Sequence, residues 1–152
     1  MRGGEARKEI VTDYIATAEI EIQAPPAKVW SALTDPAQIK EYMFGSQVIT
    51  DWRKGSQIVW KGEYEGKKYE DKGEVLEIET ERRLKVSHFS PLSGREDVPE
   101  NYHSLLYELK ELPGMTHVSL SQDNNPSQAA AEHSRANWEK MLVGLKQFVE
   151  HG

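Results

Sequence analysis

The sequence predicts an α+β domain with a curved, seven-stranded antiparallel sheet, two short helices after the first strand, and a long C-terminal helix packed across the concave face. Apolar and polar residues alternate with the period of two typical of half-buried strands, near 14–22 and again over 47–122. Two proline-led stripes with helical spacing interrupt this alternation at 25–43. A proline-free amphipathic run closes the sequence, and a helix on one face of a sheet makes a two-layer domain.

The first predicted element is a strand that follows a polar segment. Residues 1–12 carry mixed charge and a Gly3-Gly4 pair, so we expect a flexible N-terminal tail ahead of one domain at 13–152. The strand ends where two prolines follow Ala24. Its apolar face comprises Tyr14, Ala16, Ala18, Ile20 and Ile22.

Two short helices are predicted next, and each begins with proline. Pro25-Pro26 suits a helix start because the first-turn N–H groups have no intrahelical partner. Asp35 is a suitable N-cap for the second helix, with Pro36 at its first position and Gln38 at the capping-box position. The two apolar stripes comprise Val29, Trp30, Leu33, Ile39, Tyr42 and Met43. Helices that meet at such a corner can follow a curved surface.

Six further strands are predicted between the second helix and residue 122. Turn-forming pairs such as Glu65-Gly66 and Pro113-Gly114 separate them. The predicted ranges are 47–51, 56–64, 67–79, 83–89, 102–111 and 115–122. Most connections are short enough for hairpins, so these strands predict an antiparallel meander.

The last predicted element is a long helix within SQAAAEHSRANWEKMLVGLKQFVEHG. At roughly 22 residues and ~1.5 Å per residue it would be about 33 Å long. Its apolar face comprises Ser134, Trp138, Met141, Leu142, Leu145, Phe148 and Val149. A helix of this length can cross the domain and fill the concave side of the sheet.

The amino-acid composition and net charge exclude several classes of protein and site. Hydrophobic residues make up 38% and charged residues 29%, as in ordinary globular proteins, and four Trp, six Tyr and three Phe predict an aromatic-rich core. The absence of cysteine excludes disulfides, thiolate nucleophiles and Cys-ligated metals, and we expect a cytoplasmic location. We expect no signal peptide and no membrane span, because no window approaches about 18 apolar residues. The net charge of −6 opposes binding to nucleic acid or anionic lipid.

The order of these elements resembles the helix-grip fold of the START-like superfamily, also called SRPBCC. Within it, the chain is similar to the branch related to the C-terminal domain of the activator of heat-shock-protein-90 ATPase, from about Ile20 to Val149. The resemblance rests on IEIQAPPAKVWSALTDPAQIKEYMFG, the glycine in RKGSQIVW, KGEVLEIETERRLKVSHF, YELKELPGMTHVSLSQ and NWEKMLVGLKQFV. It implies a cavity between sheet and long helix, which the superfamily uses for lipids, sterols, polyketides and other apolar molecules.

Two departures from the family pattern affect that implied cavity. Tyr42, Met43 and Phe44 stand where relatives often carry a tryptophan pair at the end of the second helix. Gln122 stands where many relatives have a histidine that closes the last strand. We therefore expect the shape and polarity of this cavity to differ from those of its relatives.

Nine residues are candidate ligand contacts in this cavity. Polar groups on apolar strand faces need a partner, since leaving one unsatisfied costs about 1–3 kcal/mol, and a ligand can be that partner. The candidates are Met43, Phe44, Trp60, Tyr64, His88, Tyr107, Gln122, Trp138 and Met141. Each has a structural alternative: core packing for the aromatic residues and methionines, a satisfied structural role for His88, and a tied-down strand end for Gln122. The polar segment Ser90–Glu100 is interpreted as a surface loop, with a lid as the alternative.

No catalytic, metal or cofactor site is predicted. The sequence contains no phosphate-binding glycine loop, no G-x-S-x-G, no HExxH and no histidine pair at metal-ligand spacing. Most carboxylates are expected to point outward or to lie at turns, namely Glu63, Glu65, Glu70 and Asp71.

Three functions remain open at this level. The favoured one is a non-enzymatic module that encloses a small hydrophobic or aromatic molecule. The second is a cavity-based enzyme of the aromatase, cyclase or hydrolase type, in which His88 and a cavity tyrosine act as acid and base. The third, by analogy with the chaperone-activating relatives, is a chaperone-associated protein-interaction domain.

Overall fold

A computed structural model describes residues 14–151 as one seven-stranded sheet with three helices. The tail predicted at 1–12 lies outside the described residues. The elements in chain order are β1 (Tyr14–Ile22), α1 (Pro26–Thr34), α2 (Pro36–Tyr42), β2 (Gln47–Ile49), β3 (Gln57–Tyr64), β4 (Lys67–Glu79), β5 (Arg83–His88), β6 (His103–Leu112), β7 (Met115–Asn125) and α3 (Gln128–His151). Two short 3₁₀ turns, Pro91–Ser93 and Pro99–Asn101, lie between β5 and β6.

The sheet order is β1-β7-β6-β5-β4-β3-β2, and every neighbouring pair is antiparallel. Strands β2 to β7 follow one another as a meander, while β1 pairs with the last strand. This confirms the predicted α+β helix-grip architecture. None of the helices within residues 14–151 has the length and apolar character needed to cross a membrane.

The corner between α1 and α2 is built on Asp35. Its extended backbone (φ −104°, ψ 113°) ends α1 and serves as the N-cap of α2. One carboxylate oxygen accepts the Ala37 N–H at 3.0 Å, and the other accepts from Gln38 Nε2 at 2.9 Å. Gln38 also donates to Ser31 Oγ at 2.8 Å, so one side chain ties the two helices together.

Strand β4 changes partners after Glu74, directly after Gly73. The first half of β4 pairs with β3 and the second half with β5. A Cβ atom on Gly73 would lie 1.8 Å from the Ser87 carbonyl oxygen, so only glycine allows the two backbones to approach this closely. The β4–β5 register then shifts between Val75 and Glu77, as in a β-bulge.

Helix α3 packs mainly on β1 and, less closely, on β7, so it covers one side of the sheet. Its buried residues include Leu142, Leu145 and Val149. The buried core is mainly aliphatic rather than aromatic-rich as predicted: within residues 14–151 nine of the ten largest fully buried side chains are Ile, Leu or Val, and only Trp30, Phe89 and Tyr107 are buried aromatic residues. Five further aromatic side chains are partly buried and pack against this core, namely Tyr42, Trp52, Trp60, Trp138 and Phe148.

Candidate functional site

A cleft of about 390 Å³ opens in the concave face beside α3. Side chains of β3, β4, β5 and β6 form its floor, the turn after α2 and the segment after β5 form its sides, and Trp138 of α3 closes one end. The lining is mainly apolar and contains six aromatic residues, which are Phe44, Trp60, Tyr64, Tyr69, Tyr107 and Trp138.

Seven of the nine predicted ligand contacts line this cleft. They are Met43, Phe44, Trp60, Tyr64, His88, Tyr107 and Trp138. Gln122 instead lines an adjoining polar cavity of about 280 Å³. Met141 is buried in the hydrophobic core beside α3. Contact with a ligand stays a prediction for all nine residues.

The mouth of the cleft is formed by apolar side chains that are exposed to solvent. Phe44 is 76% exposed, and Tyr64 and Leu92 are each 59% exposed. These are three of the six large hydrophobic side chains found exposed within residues 14–151. The rings of Phe44 and Tyr64 meet edge to face with centroids 6.4 Å apart. A cluster of unpacked apolar groups around one opening is typical of a binding surface.

Phe44 is exposed on a strained backbone. Its φ of +56° and the +78° of Gly45 place both residues in the left-handed region that ends α2. Glycine adopts this region without strain, whereas for a residue with a side chain it costs about 1–2 kcal/mol. Burial does not offset this cost at Phe44, so an exposed aromatic ring is held here at the expense of stability.

The polar part of the cleft is a hydrogen-bonded pair, Asp71 and His88. Nε2 of His88 donates to Oδ2 of Asp71 at 2.9 Å, and the side chains are only 24% and 17% exposed respectively. The indole of Trp60 meets the His88 ring edge to face at 5.1 Å. Trp60 is also the residue directly opposite Asp71 in the β3–β4 register. His88 therefore has a carboxylate partner, and a tyrosine is not hydrogen-bonded to it among the described residues.

The prediction that Asp71 points outward is wrong, and the bulge explains the error. Val75 and Ile78 lie opposite the buried residues Val86 and Leu84, although they are three positions apart. Counting back from Ile78 by twos places Asp71 on the solvent face, whereas counting back from Val75 places it in the cleft. The signal that identifies Asp71 is its period-two spacing with Val75 and with Tyr69, another cleft residue.

Tyr69 depends on a glycine in the neighbouring strand. Tyr69 lies opposite Gly62 in the β3–β4 register, and a Cβ atom on Gly62 would be 2.5 Å from the Tyr69 hydroxyl. The missing side chain lets the tyrosine ring cross β3 and donate to Ser46 Oγ at 3.0 Å. This hydrogen bond fixes the cleft wall to the turn after α2.

Tyr107 places a hydroxyl group in the cleft. It is 8% exposed, and among the described residues its hydroxyl has no hydrogen-bond partner. Burial raises the pKa of Tyr107 well above its ordinary value, so the hydroxyl keeps its proton. Tyr42 differs, because its hydroxyl donates to the Ala32 carbonyl at 2.8 Å; burial, with a smaller contribution from Tyr107, raises its pKa too.

A short polar network holds α3 against the end of β7. Trp138 Nε1 donates to Gln122 Oε1 at 2.6 Å. Asn125 Oδ1 accepts from Ser134 Oγ at 3.1 Å and, more weakly, from Gln122 Nε2 at 3.5 Å. Gln122 therefore ties the strand end to the helix and orients the indole that closes the cleft.

The segment between β5 and β6 forms part of the cleft wall through Ser90 and Leu92. It is fastened to the sheet by Asp97, which pairs with Lys72 of β4 and accepts from the Tyr102 hydroxyl at 2.6 Å. These contacts lower the pKa of Asp97 and raise the pKa of Lys72. The predicted surface loop is thus an attached wall of the site.

The family model described as Activator of Hsp90 ATPase homolog 1-like protein matches residues 23–150. The chain belongs to this family. A protein of Cytophaga hutchinsonii solved in solution is 52% identical to it, with a TM-score of 0.80 and coverage of 90% of this chain and 94% of that one. No curated protein matches the sequence.

More distant structures share the fold. The Aha1 dimer from Colwellia psychrerythraea is 20% identical, with a TM-score of 0.72 and coverage of 91% of this chain and 98% of that one. CalU16 from Micromonospora echinospora is 22% identical, with a TM-score of 0.69 and coverage of 91% of this chain and 87% of that one. At these identities the likeness extends to the fold alone.

The lining of the cleft combines apolar and aromatic side chains with a few polar groups. Residues 14–151 contain no group of three or more His, Asp or Glu side chains arranged to hold a metal ion. Ser46 accepts from Tyr69, and no serine hydrogen-bonds His88 within the described part of the chain. The cleft can therefore accommodate an apolar body and offer a carboxylate, an imidazole and a phenol to its polar end.

Proposed function

We propose that this protein binds a small, mainly apolar or aromatic molecule in the cleft between the sheet and α3. The observation that carries the proposal is the convergence of exposed Phe44, Tyr64 and Leu92 on the mouth of one cleft. Exposed apolar surface is unfavourable unless it is covered during function, and a ligand in the cleft would cover it.

Two further features support binding. The cleft has the size of pockets that enclose small molecules, and it combines an apolar lining with a few polar groups, as such pockets do. The backbone strain at Phe44 is retained although the ring adds little to the core. A contribution to binding accounts for that strain.

The proposal is tested by nuclear magnetic resonance titration of the full chain with a panel of fatty acids, sterols and aromatic metabolites. A cleft ligand should shift methyl signals of Met43, Leu92 and Leu105, which line the cleft, and leave Leu145 in the core unchanged. Phe44→Ala should weaken binding at least about fivefold, because truncating an aromatic side chain that carries binding energy costs about 1 kcal/mol or more.

Ile15→Ala is the matched control. Ile15 is also a large exposed hydrophobic residue, at 58%, but it lies on β1 away from the cleft. It should leave the affinity unchanged. The proposal would be contradicted if no member of the panel shifts the cleft methyl signals. It would also be contradicted if a ligand binds Phe44→Ala as tightly as Ile15→Ala.

A second candidate is proton transfer by His88, favoured by its hydrogen bond to Asp71. A carboxylate that holds one imidazole nitrogen fixes the orientation of the ring, which is the arrangement of a general base. Any ligand found in the screen should be incubated with the protein and followed by mass spectrometry. Product formation that His88→Gln abolishes would support this role, whereas equal turnover by the variant would remove His88 from the chemistry.

A further inference from the structure

Asp71, which lines the cleft, has a buried carboxylate oxygen that lacks a donor among the described residues. Oδ2 of Asp71 accepts from His88, but Oδ1 is buried and has no hydrogen-bond partner within residues 14–151. Leaving such an atom without a donor is unfavourable, and more so for a charged group than for a neutral one. The Tyr107 hydroxyl, on a side chain more than nine-tenths buried, is a second cleft group without a partner among the described residues.

The lining holds two carboxylates and neither a lysine nor an arginine. Among the described residues that line the cleft, Glu63 and Asp71 carry the carboxylates, and His88, which is hydrogen-bonded to Asp71, is the one group that becomes cationic on protonation. Lys72, next to Asp71 in sequence, is engaged by Asp97 in the loop. A ligand with a carboxylate or phosphate would therefore meet repulsion in the cleft, while a cation would be attracted.

Aromatic side chains line the same cleft as Asp71. Trp60 lies directly opposite Asp71 on the neighbouring strand, so its indole is within reach of a group paired with the Asp71 carboxylate. Phe44 and Tyr64 stand at the mouth beside Glu63. A carboxylate beside several aromatic rings suits an organic cation, because the ring faces attract positive charge and cover the attached hydrocarbon.

We propose that the ligand of this cleft is an organic amine in its protonated form, with an apolar or aromatic body. Its charged N–H group pairs with the Asp71 carboxylate, the indole of Trp60 covers the cationic end, and the apolar body lies towards Tyr107 and Phe44. This inference rests on the proposed function, since it names the chemical class of molecule that the same cleft binds.

Three probes with one hydrocarbon body test the charge preference: 3-phenylpropylamine, 3-phenylpropan-1-ol and 3-phenylpropanoate. At neutral pH the amine is a cation, as lysine is, the alcohol is neutral and the acid is an anion. Titration of the full wild-type chain should give an affinity for the amine at least about tenfold above that for the alcohol, because its N–H donors are charged. The anion should bind more weakly than the alcohol.

Two variants test whether the Asp71 carboxylate causes the preference for the amine over the alcohol. Asp71→Asn keeps the shape and removes the charge, so the amine should lose its advantage over the alcohol while the alcohol still binds. Glu70→Gln removes a neighbouring carboxylate of β4 that is 65% exposed and does not line the cleft, and it should preserve the preference. The wild-type comparison does not depend on the folding of either variant.

The outcomes separate this inference from the proposed function. Equal affinity for amine and alcohol, or an undiminished preference in Asp71→Asn, would overturn the amine and leave a cleft that binds apolar molecules. If none of the three probes binds but other panel members shift the cleft methyl signals, the amine is again overturned and the proposed function stands. If no compound of either set shifts those signals, both fail.

Discussion

At the scale of single residues, the cleft departs from what stability alone would select. Phe44 keeps an exposed ring on a left-handed backbone, and Asp71 keeps a buried oxygen without a donor among the described residues. Both features cost free energy of folding. Such costs concentrate at functional sites, because the groups that a ligand needs are not the groups that the fold needs.

The strain at Phe44 can be measured by comparing two substitutions that remove the same ring. Phe44→Gly should be more stable than Phe44→Ala by about 1 kcal/mol, because alanine keeps the left-handed strain and glycine does not. Urea unfolding of the two variants gives the difference. At Ala136, on the exposed face of α3, glycine should instead destabilise by about 1 kcal/mol. If Phe44→Gly is the less stable of the pair, the backbone at this position is not strained.

At the scale of elements, the shape of the site depends on the path of β4. Strand β4 pairs with β3 over its first half and with β5 over its second half. The close approach at Gly73 and the bulge after Val75 lie where the partner changes. Tyr69 and Asp71 share one face of β4 with Val75 and line the cleft. The segment from Ser90 to Asn101 then closes the side of the cleft through its contacts with β4.

Gly73→Ala should destabilise the protein by about 3 kcal/mol or more, because its Cβ would lie 1.8 Å from the Ser87 carbonyl oxygen. Urea unfolding measures the change. Gly144→Ala is the contrasting variant: its Cβ would be 3.6 Å from the nearest atom, the Tyr42 carbonyl oxygen, so alanine should stabilise α3 by up to about 1 kcal/mol. Equal effects of the two substitutions would contradict the close approach at Gly73.

The attachment of the loop by Asp97 gives a prediction for amide hydrogen exchange. Asp97→Asn should speed exchange in residues 90–101 by a factor of about two to five, as expected for a solvent-exposed ion pair, whereas Glu96→Gln should not. Lys72 and Tyr102 lower the pKa of Asp97 below its ordinary 3.8. The contribution is therefore complete above pH 3.8 and is lost as the pH falls through the lowered pKa. Exchange that is unchanged in Asp97→Asn would mean that other contacts hold the loop.

The sequence predicts these elements well because strand periodicity and proline-led helix starts are local signals. Every strand from β2 to β7 lies within three residues of its predicted bounds. The face that a side chain occupies is harder to predict, because one bulged residue reverses it, as at Asp71. Met141 shows a second limit of sequence patterns. Its place on the apolar face of α3 predicts that it is buried, but not whether it packs in the core or lines the cleft.

At the scale of the whole molecule, the cleft joins parts that are distant in sequence. The turn after α2, four strands of the meander and α3 all contribute side chains. The ring of Trp138 is positioned through Gln122, so the helix and the last strand meet at the cleft. A ligand held there would bridge elements that separate when the protein unfolds.

Binding should therefore raise the stability of the entire chain. At a concentration ten times its dissociation constant, a ligand such as 3-phenylpropylamine should add about 1.4 kcal/mol, which raises the midpoint of thermal unfolding by about 3–6 °C for a chain of this size. Scanning calorimetry or circular dichroism checks this shift. Phe44→Ala at the same ligand concentration should show a smaller rise, and an equal rise in both proteins would place the ligand elsewhere.

The pairing of β1 with β7 sets the order in which this molecule can be completed during synthesis. β1 lies at the edge of the described sheet, and its neighbour, β7, ends at Asn125. The hairpins from β2 to β6 can pair as they leave the ribosome, whereas β1 and the docking of α3 must wait for the last strand. Although β1 is synthesised before the other described strands, it is among the last of them to pair, and until then its apolar face is open to neighbouring chains.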